Sequence, residues 1–183
     1  MGFRKYVKDY SNEYIIKPNG KPGVVAVYKG KYFRFVADDA KLKKAKIVFA
    51  TLSVLATVLC IIPFLYRSNA SHTMYVSLPH AVCLFPILHL LMGVYNFGFR
   101  KAPFVREYKD KIEGRITASS IASACFLGAT AVAQVVNCAI TGFDLPDIIY
   151  LILLLLACAA TGVIFSLRDV LKTEECTAEG TKI

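Results

Sequence analysis

The 183-residue chain is 56% hydrophobic and only 19% charged, with a mean hydropathy of +0.51. That is too apolar for a solvated globular domain of this size, and it excludes a disordered chain, a collagen-like repeat and a disulfide-stapled secreted module. The formal charge of +9 raises nucleic-acid binding as an alternative, but no recognition motif accompanies the basic residues, so the reading is no nucleic acid.

In chain order, Phe3, Tyr6, Val7 and Tyr10 recur at helical spacing with Arg4, Lys5, Lys8 and Asp9 opposite, which predicts a short amphipathic helix lying on lipid headgroups or on the protein itself. From Glu13 the pattern turns extended, through Tyr14-Ile15-Ile16, a Pro- and Gly-rich turn and then Val24-Val25-Ala26-Val27-Tyr28. Lys29-Gly30 reads as a two-residue hairpin turn, opposing Tyr28 to Lys31, Ala26 to Phe33 and Val24 to Phe35. So small a sheet is marginal alone, and its aromatic face needs a surface to dock on: the middle loop, the headgroups or a partner.

Four stretches contain no Asp, Glu, Lys or Arg: residues 47–66, 68–99, 116–143 and 148–167. At roughly 1.5 Å per residue each is long enough to cross a hydrocarbon layer of about 30 Å. Asp38 or Asp39 is placed to cap the first span, with Lys41, Lys43, Lys44 and Lys46 as its collar. Pro79 and Pro86 favour a kink in the second. In the connection, Pro103 suits a first helical position, and Val105, Tyr108 and Ile112 share a face, predicting a second surface-lying helix. The polar tail, 168–183, is expected to fray.

Twelve of the 22 Lys and Arg precede Ile47, six lie between Arg100 and Arg115, and three follow Leu167, leaving only Arg67 for the other two loops. The positive-inside rule then places both termini and the middle loop in the cytoplasm, where the basic residues meet anionic lipid. No cleavable signal, myristoylation site or prenylation box is expected. The fold expectation is an all-α membrane protein. Residues 1–46 form a cytosolic amphipathic helix and a small antiparallel β-meander, residues 47–167 a four-helix bundle with a cytosolic loop at 99–116, and residues 168–183 a cytosolic tail.

No charged side chain is expected at depth, which removes the carboxylate a proton-coupled exporter needs. The six cysteines are scattered, with no closely spaced pair for a thiol oxidoreductase, and His80 with Cys83 offers two ligands but no third, so no metal or other cofactor is assigned. Ser77 precedes His80 without a carboxylate to orient the ring, so no catalytic residues are assigned. At 100° per residue Ser119, Ser123, Thr130, Gln134, Asn137 and Thr141 fall within about 40° of one direction on the third span. With His80 and His89 of the second span, Thr130, Gln134 and Asn137 are the candidate lining of a polar cavity, although His80 and His89 lie on opposite sides of a straight helix. The plain alternative is interhelical glue. Small residues at Ser120, Ala124 and Gly128, and at Cys158, Gly162 and Ser166, allow helices to approach within one copy or between two.

The string Val27-Tyr28-Lys29-Gly30-Lys31-Tyr32-Phe33-Arg34-Phe35, followed by Tyr75-Val76-Ser77-Leu78-Pro79, resembles uncharacterised small four-span membrane proteins of Gram-positive bacteria. The resemblance implies a bacterial cytoplasmic membrane and no particular activity. The expected function is a non-enzymatic accessory or regulatory membrane protein that docks a partner through its basic cytosolic face, with Tyr28, Phe33 and Phe35 as the docking residues. The alternative is a small dimeric carrier or lipid-handling protein that uses the polar cavity.

Overall fold

A computed structural model describes residues 6–16, 22–65 and 68–177. Four helices dominate it: α1 (Asp39–Ile61), α2 (Met74–Phe99), α3 (Arg106–Thr141) and α4 (Leu145–Ser166). With their 3-10 extensions, all four are long and apolar enough to cross a membrane. Helix α1 packs on α2 and α4, and α3 on the same two, giving an up-and-down bundle of the kind short connections produce. At one end, the loop end, a one-turn helix at Asn69–His72 and residues 142–144 join the helices. The other end carries strands.

Among the described residues, five strands form two separate sheets. Strands β1 (Tyr10–Ile16) and β2 (Pro22–Tyr28) make an antiparallel hairpin with Tyr14 opposite Val24 and Tyr10 opposite Tyr28. Strand β3 (Tyr32–Phe35) lies between β4 (Phe104–Val105) and β5 (Thr173–Cys176). The expected pairing of Val24–Tyr28 with Lys31–Val36 is therefore wrong. The chain does not reverse at Lys29-Gly30; the Tyr28 ring folds across it, its hydroxyl donating to the Lys31 carbonyl at 2.8 Å. A Cβ on Gly30 would sit 2.6 Å from that hydroxyl, so this close approach requires glycine.

What β3 gains elsewhere explains the choice. Its alternation puts Phe33 and Phe35 on one face, and both join a core with Phe49, Phe97, Phe104, Ile112 and Leu171. The Phe35 ring lies 5.2 Å from Phe97 and 4.9 Å from Phe104. Burying a phenylalanine is worth about 1.5–3 kcal/mol, which a solvated two-stranded ribbon could not supply.

Three further expectations are corrected. The tail does not fray at once: β5 pairs with β3, and Arg34 meets Glu174 at 2.8 Å and Lys31 meets Glu175 at 2.7 Å. The surface helix of the connection is not separate. Pro103 precedes β4, and the helix opens at Arg106 and runs on for 36 residues, about 54 Å at 1.5 Å per residue. Ile112 and Ile116, four apart and both buried, hold the same stripe across the boundary that charge alone suggested. At the N-terminus the expected helix ends early, since Tyr6 is helical, Val7–Asp9 is a 3-10 turn and Tyr10 is already strand; Phe3, Arg4 and Lys5 lie outside the described residues.

The small residues divide. A Cβ on Gly93 of α2 would lie 3.0 Å from Ile116 Cγ1 and 3.1 Å from Arg115 Cβ, marking the close approach of α2 and α3, whereas Gly128 and Gly162 have nothing within 4 Å.

Candidate functional site

Buried polar residues run through the bundle, with Ser53, Ser119, Ser120, Ser123 and Thr161 away from the loop end and Ser68, His80, Gln134, Asn137 and Asp147 toward it. Helix α2 carries His80, fully buried. Its Nδ1 lies 2.5 Å from the Tyr150 hydroxyl of α4 and its Nε2 3.4 Å from Cys60 Sγ of α1. Phe64 stacks on the imidazole at 4.3 Å. Cys60 and Cys83 share one buried cluster with Leu127 and Tyr150, and the Cys83 thiol donates to the Ser123 carbonyl at 3.7 Å, so the fold brings together two cysteines that sequence spacing kept apart. Cys60, His80 and Tyr150 have the order of nucleophile, base and orienting group, yet all three are buried. A reactant would have to displace Phe64. As it stands the string ties α1, α2 and α4 together.

A second node lies on α3. Asn137 Oδ1 accepts from Thr73 at 3.2 Å and from Tyr75 at 3.1 Å. Gln134 Nε2 donates to the Asp147 carbonyl at 3.3 Å and to Cys138 Sγ at 3.4 Å. Asp147 itself is wholly buried, its Oδ1 accepting from the Ala70 backbone N–H at 3.2 Å. Three buried polar atoms here have no partner: Gln134 Oε1, Asn137 Nδ2 and Asp147 Oδ2.

The structure thus brings together part of the expected cavity lining. His80, Gln134 and Asn137 are buried, but His80 bonds to Tyr150 and Cys60 rather than to the α3 amides. Thr130 turns its hydroxyl to the Phe126 carbonyl of its own helix, 2.8 Å away. His89 is exposed on the outer surface of α2 and lines no cavity with the others; nine residues turn a helix about 180° from His80. Tyr150, Cys60 and Asp147 were missed. The signal for Asp147 was available, because Asp147, Tyr150 and Leu154 step three and four apart along the buried face of α4.

At the strand end, Phe33 and Phe35 are 6% and 7% exposed, so the expected docking pair is spent on the chain's own core. Tyr28 is half-buried between Tyr10 and Tyr32, 5.2 Å from each, and its hydroxyl accepts from the Arg106 N–H at 3.2 Å. Burial pushes its pKa up. The most exposed apolar side chains described at this end are in the hairpin, with Tyr14 85% and Ile16 80% exposed, while Val7, Val36 and Phe99 are also open. Beside it a cavity of about 410 Å³ is lined by Tyr6, Val7, Tyr10, Asn12, Ala26 and Glu107. The Tyr6 hydroxyl donates to Asp110 at 2.9 Å; burial first, and that bond second, push its pKa up to about 12.

Among the described residues no group of three or more His, Cys, Asp or Glu is placed to hold a metal ion. No protein-family model, curated protein or solved structure matches the chain.

Proposed function

We propose that the chain is an integral protein of a bacterial cytoplasmic membrane, with its four helices spanning the bilayer and the strand end, both termini included, in the cytoplasm. Lys41, Lys43, Lys44, Arg106, Lys109 and Lys172 belong to elements at the strand end, while the loop end carries Asp144 and Asp147. That asymmetry is what the positive-inside rule selects, and anionic headgroups reward it with about 1 kcal/mol per basic residue near the surface.

Within that placement the protein acts as a non-enzymatic accessory or regulatory subunit, and the hairpin is its docking element. The observation that carries this is the exposure of Tyr14 and Ile16 on a hairpin beside a basic surface, while the neighbouring β3 face is fully used internally. In the test, Tyr14→Ser and Ile16→Ser are made together in the tagged full-length protein. Loss of a stoichiometric partner seen with the parent, with insertion of all four helices retained, is the expected result. Unchanged co-purification overturns it.

The carrier or lipid-handling reading, as a dimer, is favoured by one observation, the unpartnered polar atoms of Gln134, Asn137 and Asp147. If His80→Ala and Gln134→Ala, singly and together, leave transport or lipid movement in vesicles unchanged, that reading falls.

A further inference from the structure

The first turn of α4 and the segment leading into the one-turn helix enclose a cleft of about 240 Å³ lined by Ser68, Asn69, Asp144, Leu145, Pro146 and Asp147. Two acidic residues are among those that line this one small space. Asp144 Oδ2 accepts a long bond from Asn69 Nδ2 at 3.4 Å. Asp147 is the sharper case, because its side chain is wholly buried and only Oδ1 is held, by the Ala70 N–H. Its Oδ2 has no partner, and neither has the buried Oε1 of Gln134, whose amide lies against the Asp147 carbonyl.

A buried carboxylate oxygen without a donor is expensive, and the dipole at the start of α4 offsets only part of the cost. Something that supplies positive charge and N–H donors removes it. A chelated metal fits poorly: the described residues offer no cluster of three or more ligating side chains. The cleft is also roomier than the ~30 Å³ share of a single water. A quaternary ammonium would call for aromatic faces, and the lining has none. A primary ammonium has three donors on a compact head, suited to two carboxylates and neighbouring neutral oxygens.

We propose that this cleft binds a primary ammonium group, with Asp147 Oδ2 and the Asp144 carboxylate as its acceptors. The group comes either from a phospholipid headgroup or from a free small amine. The site is independent of the reading of the strand end, and only the lipid source rests on the membrane placement.

Ethanolamine hydrochloride is titrated into the purified full-length protein in neutral detergent against potassium chloride at matched ionic strength, and binding is followed by calorimetry and by the unfolding midpoint. Saturable binding is expected, weakened at least tenfold in Asp144→Asn and in Asp147→Asn. Asp144 is exposed, so its variant keeps the test decisive even if Asp147→Asn does not fold. Competition by nanodiscs of ethanolamine-headgroup phospholipid, and not by choline-headgroup nanodiscs, assigns the group to lipid; absence of competition assigns it to a free amine. Either supports the site. It is overturned by a response no greater than that to potassium chloride, by unchanged affinity in Asp144→Asn, by a response to calcium chloride in place of ethanolamine, or by binding that emerges only in Arg67→Gln, which would make Arg67 the cleft's own cation.

Discussion

The ring of Phe35 on β3 meets the ring of Phe97 near the end of α2 edge-on, at 5.2 Å. Through this contact a strand from before the first helix closes the end of the bundle, and Phe49 of α1 packs on the same Phe97 at 5.5 Å. The strand end is thus an integral part of the bundle core.

Truncation at that contact should be costly. Phe35→Ala is expected to lower stability by about 3–5 kcal/mol, the range for a buried phenylalanine, whereas Tyr14→Ala on the open hairpin should change it by less than about 0.5 kcal/mol. Reversible unfolding in mixed detergent reads both. Similar small effects would mean that the three-stranded sheet is only loosely attached.

The His80 and Tyr150 pair makes a second prediction. Tyr150→Phe removes the partner of a buried imidazole nitrogen and should cost about 1–3 kcal/mol, and a double-mutant cycle with His80→Ala should show a coupling of about 0.5–3 kcal/mol. His89→Ala, on the outer surface, should show no coupling to either. A zero coupling between positions 80 and 150 would remove the tie between α2 and α4.

Glycine substitutions separate packing from open surface. Gly93→Ala places a Cβ 3.0 Å from Ile116 Cγ1, and overpacking of this kind costs about 1–3 kcal/mol. Gly128→Ala meets nothing within 4 Å and should gain about 0.5–1 kcal/mol from helix propensity. Thermal unfolding of the two variants is the check; a loss at Gly128 would instead indicate that a second copy packs there.

Alkaline pH should loosen the N-terminal segment. The folded state holds the Tyr6 proton up to about pH 12, because of burial and the bond to Asp110, against an ordinary value of 10.0. A folded-state pKa that is raised gives a contribution fully present below pH 10 and lost as pH climbs toward 12. Stability should therefore be flat in this respect below pH 10 and fall above it, and Tyr6→Phe should show less of that fall. An identical alkaline profile in the variant would contradict the assignment.

The helices were legible because an uncharged run of twenty or more residues carries its meaning locally, in length alone. The strand pairing was not. The alternation of Phe33 and Phe35 was plain, but their partners, Phe104 and Thr173–Cys176, lie about 70 and 140 positions away, and pairing with the neighbouring β2 looked cheaper because only loop closure was counted. The start of α3 was hidden for a related reason: the charges around Lys109 and Lys111 suggested a surface helix, whereas Ile112 and Ile116 carry one buried stripe straight through. At the candidate site, Gln134 and Asn137 stood out as polar residues in an apolar run, while Asp147 did not, since a carboxylate beside a loop reads as solvated until the fold buries it.

The placement of the two ends is best tested by sided labelling. Single cysteines are introduced at Phe143, at the loop end, and at Lys101, at the strand end, both exposed, and a membrane-impermeant maleimide is applied to intact cells and to inverted vesicles, with the parent protein as background. The account predicts labelling of Phe143→Cys in cells and of Lys101→Cys in inverted vesicles. The reverse pattern, or labelling of both positions from one side, would contradict a four-span protein with its basic strand end in the cytoplasm.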